Sequence, residues 1–111
     1  MLTSKVMQIL KNNNIENSIT IGSIIDGNGV GLFETAGQPP TMYFDKTILE
    51  RKGLQVIVRN KSYEDGKNII NNIFNLLNIQ VGFNPQQSPF YLGRNEKGYA
   101  EFSVNYIILS E

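Results

Sequence analysis

The stretch GLQVIVRNKSYEDGKNIINNIFNLLN, residues 53–78, decides the fold. In its first part Leu54, Val56 and Val58 fall on one side and Gln55, Ile57 and Arg59 on the other, the period of a half-buried strand. A helix follows at once. Ser62 with Asp65 three residues later makes a start like a capping box, and Glu64 and Asp65 sit at the positive end of the helix dipole. Tyr63, Ile70, Ile73, Phe74 and Leu77, with Ile69 and Leu76 alongside, form one broad apolar face, while Asn68, Asn71, Asn72, Asn75 and Asn78 cover the rest. Such a helix of about 17 residues is about 25 Å long, enough to lie across a small sheet.

Downstream, SPFYLGR (88–94) leads through Asn95-Glu96-Lys97-Gly98 into YAEFSVNYIIL (99–109), a hairpin whose turn needs the positive φ that Gly98 supplies. In the last strand Ala100, Phe102, Val104, Tyr106 and Ile108 alternate with Glu101, Ser103 and Asn105, which predicts a sheet with one buried face. Upstream, SITIGSII (18–25) reads as a strand and VGLFET (30–35) as its hairpin partner across a glycine-bearing tip. Regular pairing is expected to stop at GQPP, since Pro39 and Pro40 have no N–H. TMYFDKTILERK (41–52) is ambiguous and suits an extended arm or irregular loop, with room for one short strand. At the N-terminus Leu2, Val6, Ile9 and Leu10 give a short amphipathic helix over about residues 3–13, with Thr3 or Ser4 as N-cap and NNN as its stop. The whole is α+β: a single domain over 1–111, a largely antiparallel four- to five-stranded sheet with two helices packed on one face.

Composition narrows the function. Ten basic and ten acidic residues cancel, and the cations are scattered, so no field draws in nucleic acid or an anionic membrane. Cysteine and histidine are absent, which removes disulfides, thiolate nucleophiles, zinc sites of the usual ligands and any triad built on imidazole. No stretch reaches the ~18 apolar residues of a membrane span, and the N-terminus lacks the features of a signal peptide. Gly27, Gly29 and Gly31 in DGNGVG look like a phosphate cradle at first sight. Their G-x-G-x-G spacing fits neither nucleotide fingerprint, a strand and not a helix follows, and no basic residue lies between Lys11 and Lys46. Glu34, Asp45, Glu50 and Glu101 are the acid–base groups left near apolar stretches, and nothing marks two of them as a convergent pair. No catalytic residue, metal ligand or cofactor site is assigned, and a small enzyme or nucleotide-binding module is only a remote alternative.

Surface is more informative. PTMYF (40–44) places apolar and aromatic groups after a double proline, and the second face of the final strand carries Tyr99, Ile107 and Leu109 among polar residues. Such mixed surfaces suit protein–protein contact.

Three segments, LFETAGQPP, GLQVIVRNKSYEDGKNIINNIFNLL and QSPFYLGRNEKGYAEFSVNYII, resemble in content, order and spacing a family of small tailed-phage structural proteins described as minor capsid or tail-completion (tail terminator) proteins. The matching positions are Phe33-Glu34, Gly37, Pro39-Pro40, Gly53 to Arg59, Leu92 to Glu96, Gly98 and Phe102 to Asn105, within a similarity over roughly residues 25–109. The resemblance implies a ring, typically of six copies, that closes the head-proximal end of the tail tube, stops its polymerisation and docks to the head connector. Its partners would be copies of itself, the tail tube protein and a head-connector or neck protein. There would be no cofactor, no membrane and no specific nucleic acid, and the place of action would be the virion after synthesis in the host bacterial cytoplasm. A neck head–tail adaptor or minor capsid component is the alternative. A cyclic ring joins two different patches of one chain. The candidates are Phe33 and Glu34 on the edge strand, Pro39, Pro40, Met42, Tyr43 and Phe44 on the arm, and Arg94 and Glu96 on the hairpin, while Arg59, Glu101, Ser103 and Asn105 on the sheet face are candidates for lining the ring or meeting the next layer. Arg59 is also placed to pair with Glu101.

Overall fold

A computed structural model of the protein describes residues 2–15, 17–24, 26–42 and 48–110, with side chains except at 38–42, 48, 49 and 110. The elements run α1 (Leu2–Asn12), β1 (Ile19–Ile21), β2 (Gly29–Met42), β3 (Ile48–Asn60), α2 (Tyr63–Asn78), β4 (Phe83–Pro85), β5 (Phe90–Arg94) and β6 (Ala100–Ser110). The six strands form one sheet in the order β1-β2-β3-β6-β4, with β5 also against β6. Alternation dictates what is buried. Leu54, Val56 and Val58 of β3 and Ala100, Phe102, Val104, Tyr106 and Ile108 of β6 turn to the same face, where Val6 and Leu10 of α1 and Ile70, Ile73 and Leu77 of α2 close the core. Both helices therefore cover one face of an α+β sheet, as the patterning predicts. The cap is as expected too: Ser62 Oγ accepts the Asp65 N–H at 3.2 Å.

The expected four to five strands become six because β4 and β5 share the outer edge of β6 end to end. Residues 86–89 step away between them, and the ladder is bridged there by Gln86 N–H to Asn105 O (2.9 Å) and Asn105 N–H to the Gln87 side-chain oxygen (3.1 Å). A side chain stands in for the missing backbone partner, which period-2 reasoning cannot anticipate.

Three other expectations are corrected. The strand expected over 18–25 is only Ile19–Ile21, and it lies parallel to β2 (Ile19 beside Val30, Ile21 beside Leu32), so the two do not form a hairpin. Gly22, at φ +73°, turns the chain away at the end of β1. β2 also continues past the prolines and pairs with β3 as far as Met42 and Ile48, so the described parts of the expected arm, 41–42 and 48–52, are paired strand, while its residues 43–47 lie outside the described residues. The register shows why: from Thr35–Gly53 to Thr41–Leu49, β2 takes six steps where β3 takes four, so two residues bulge out. Pro39 and Pro40 fall between the paired positions Gln38 and Thr41 on an edge strand, where their missing N–H removes no ladder bond. Finally, α1 begins at Leu2, so neither Thr3 nor Ser4 is an N-cap; Thr3 is 1% exposed, against the sheet.

Two features of the packing are directly testable. A Cβ at Gly53 would meet the carbonyl oxygen of Thr35 at 2.9 Å, backbone that cannot yield without parting β2 from β3. Gly53→Ala should lower stability by about 1–3 kcal/mol in chemical denaturation, and an unchanged midpoint would refute the close approach. Tyr106 is 1% exposed and donates to Asn78 Oδ1 at 2.9 Å. Burial pushes its hydroxyl above the usual 10.0. A group whose folded value is raised contributes stability below its unfolded value, and that contribution is lost as pH rises beyond it. Tyrosinate absorbance attributable to Tyr106, isolated by comparison with Tyr106→Phe, should therefore appear only together with alkaline unfolding; its appearance near pH 10 with the fold intact would contradict this.

Candidate functional site

The uncovered face of the sheet is built by the alternate residues of β2, β3 and β6. Arg59 and Glu101 are register partners, and their side chains meet at 3.2 Å while only 16% and 22% exposed. The pair foreseen from sequence thus forms. Beside it Gln55 Nε2 donates to Ser103 Oγ at 3.2 Å. Ser103 is fully buried, so it braces this face from within and presents no side-chain atom to a partner. Asn105 and Phe33 are half-buried on either side of Gln55.

At one end of this face the glycine-rich loop is tied down. Lys97 Nζ meets Asp26 Oδ2 at 2.7 Å, the Lys61 N–H donates to Asn28 Oδ1 at 2.8 Å, and the Lys61 ammonium lies 4.9 Å from the Tyr99 ring centre. Lys97 holds the Asp26 carboxyl below its usual range, first through their hydrogen bond and then through its charge. The tether therefore works at neutral pH and fails as acid protonates Asp26. Gly27 adopts φ +109°, and Gly31 has no room for a Cβ, which would lie 2.8 Å from the Ser23 carbonyl oxygen. These glycines serve a turn and a close crossing, and the chain runs from them into β2, not into a helix N-terminus. Arg94 Nη1 donates to Gly98 O (2.6 Å) and Lys61 O (3.2 Å), closing the β5–β6 hairpin, while Glu96 is exposed at its tip.

The candidates therefore separate into groups. Arg59, Glu101, Ser103 and Asn105 share the uncovered face; Arg94 and Glu96 stand on the hairpin; Phe33 and Glu34 lie on β2 where β1 has ended. Pro39, Pro40 and Met42 belong to the β2 backbone, and Tyr43 and Phe44 lie outside the described residues.

Sequence reasoning missed the outer edge of β5. Phe90, Tyr91 and Leu92 are 38%, 44% and 52% exposed, and Tyr63 beside them 39%. Tyr63, Tyr91 and Phe102 pack edge-on or tilted against one another, with ring centres 5.0 to 5.2 Å apart, so Tyr63 and Tyr91 continue the core outward on the helix face. The signal was present: FYL is three apolar residues in a row where a one-faced strand should alternate. Among the described residues no strand covers β5 on its far side, and no group of His, Cys, Asp or Glu is placed to hold a metal ion.

The Arg59–Glu101 pair is mostly shielded yet touches solvent, so its net worth is small. Glu101→Gln should cost about 1 kcal/mol or less, and a double-mutant cycle with Arg59→Met should give coupling of the same size. Zero coupling would reduce the pair to two independent surface charges.

No individually curated protein matches the chain. The sequence profile of a family described as bacteriophage tail terminator protein does match, over residues 9–111, which takes in the whole sheet, α2, the tied loop and both edges. This chain therefore belongs to the bacteriophage tail terminator family.

Proposed function

We propose that the protein is a non-enzymatic virion part that assembles head to tail into a ring of six copies. The ring caps the head-proximal end of the tail tube, stops its polymerisation and helps join tail to head. Family membership gives the setting, and the open sheet carries the reading. Its two outer edges, β1 with the part of β2 beyond it on one side and β4–β5 on the other, differ in sequence and in shape. A heterologous contact between unlike patches is what generates a closed ring. The molecule is also elongated, 52 × 27 × 21 Å, with β3 alone accounting for about 40 Å of extended chain. A long, thin subunit packs side by side around a channel and reaches two neighbours along the axis. In this reading the uncovered face, with Arg59, Glu101 and Asn105, and the hairpin tip at Glu96 meet the tube protein or the connector. Assembly follows synthesis in the bacterial cytoplasm and needs no cofactor.

Native mass spectrometry over a concentration series, with negative-stain imaging, tests this. The expected result is a six-fold mass and rings with a central channel, formed unaided or on purified tail tubes, and tubes that no longer elongate once capped. Tubes that elongate unchanged, with binding to connector alone, would replace the terminator role by that of a neck adaptor.

A further inference from the structure

We infer that neighbouring copies join by continuing the sheet: the β5 edge of one copy pairs antiparallel with the β2 edge of the next, Arg94 against Glu34 and Tyr91 against the depression beside Gly37. The inference rests on the ring reading above and says how that ring is held.

Direction comes first. β3 is antiparallel to β2, β6 to β3, and β5 to β6, so β5 runs opposite to β2 within one chain. Rotation about an axis along the strands preserves direction, so the β5 of one copy necessarily meets the β2 of the next antiparallel. The backbone groups are also available. Val30 N–H donates to Ser18 O and Leu32 O accepts from Gly22 N–H, so alternate β2 residues turn their backbone away from β3. By the same alternation Glu34, the next in this series, turns its N–H and C=O to an edge that β1 no longer covers. On β5, Asn95 N–H bonds Tyr99 O, so its neighbour Arg94, opposite Ala100, turns its own N–H and C=O outward. An open edge bearing three apolar residues invites pairing.

Side chains agree with this register. Glu34 is the one charged residue of β2, and Arg94 the one charged residue in 83–94. Glu34 is opposite Leu54 and Arg94 opposite Ala100, so both stand on the helix face of the sheet, as a directly opposed pair must. The bulge at Leu92 brings Tyr91, opposite Phe102, onto that same face three residues before Arg94. Three residues after Glu34, within the bulge between Thr35 and Gln38, lies Gly37. Leu2, Glu34, Thr35, Gly37, Lys52 and Gly53 line a depression of about 420 Å³, where the glycines let β2 and β3 approach closely. Equal spacing on the two strands thus sets an aromatic knob against a hollow when the charges meet. A second depression, on the other flank of Glu34, is lined by Ile21, Phe33 and Thr3, whose buried hydroxyl has no hydrogen-bond partner among the described residues.

Charge reversal on the full chain tests the pairing. Glu34→Arg and Arg94→Glu should each weaken ring assembly about tenfold or more in midpoint concentration, read by native mass spectrometry or sedimentation. An equimolar mixture of the two variants should restore rings, because an alternating ring matches every pair, and the double variant should assemble by itself. Arg94 also closes its own hairpin, so Glu34→Pro provides an independent check. It deletes an outward N–H at an exposed edge position, leaves the β3 ladder intact, and should abolish assembly with the circular dichroism spectrum unchanged. Rings from wild type that form equally well from Glu34→Arg and Glu34→Pro would overturn the edge pairing and leave the ring reading standing. Wild type that forms no ring either alone or on tubes would overturn both.

Discussion

The ladder between β3 and β6 is the constraint on which everything else depends. It runs unbroken from Glu50–Ser110 to Asn60–Ala100, at the centre of the sheet, and it assigns each residue of two long strands to one face. A slip by one residue would turn Leu54, Val56 and Val58 to solvent and bring Gln55 and Arg59 under the helices, forfeiting about 1.5–3 kcal/mol for each large apolar side chain. The same ladder positions α2. Asn60, the last residue of β3, accepts the Ser62 N–H on its side-chain oxygen at 2.9 Å, and Ser62 then caps the helix. Gly66 lets α2 settle against β6, since a Cβ there would lie 2.8 Å from the Phe102 ring. Strand, cap and helix thus form one continuous device for covering the sheet.

Irregularity is confined to the outer strands. The double proline, the step at 86–89 and the bulge at Leu92 all lie in β2, β4–β5 or the connection between them, and the spine between has none. Bulges re-aim side chains. Here they decide what the two edges display, bringing Tyr91 and Arg94 to one face and Glu34 and Gly37 to one depression. A regular edge would alternate and could offer neither set.

The polar end of the molecule complements these edges. Asp26, Asn28, Lys61, Lys97 and Tyr99 bind a glycine-rich loop to a hairpin and to the residues before α2, so a segment that sequence reads as a glycine-bearing tip is tied to its neighbours. A surface already ordered loses less conformational freedom on association.

The sequence by itself determined the elements whose periodicity is strong and whose partners are local. The alternation of 54–58 and 100–108, the Ser62 cap, the apolar stripe of α2 and the turn at Gly98 each follow from a period or a short-range bond, and so do the fold class and the lack of a histidine or thiol centre. The Arg59–Glu101 pair was legible because both residues belong to those regular strands. Tertiary structure alone decided the rest. Whether Ile19–Ile21 lies parallel or antiparallel to β2 depends on how the chain returns to β2, which local pattern does not encode. Pairing on both sides of Pro39 and Pro40 depends on which edge of the strand is free. The exposed aromatic edge depends on β5 having no outer strand among the described residues, and Ser103 looked like surface until its neighbours closed over it. Periodicity fixes which face a residue occupies, whereas strand order, fixed only when distant segments pack, determines what covers that face and which edge is left open.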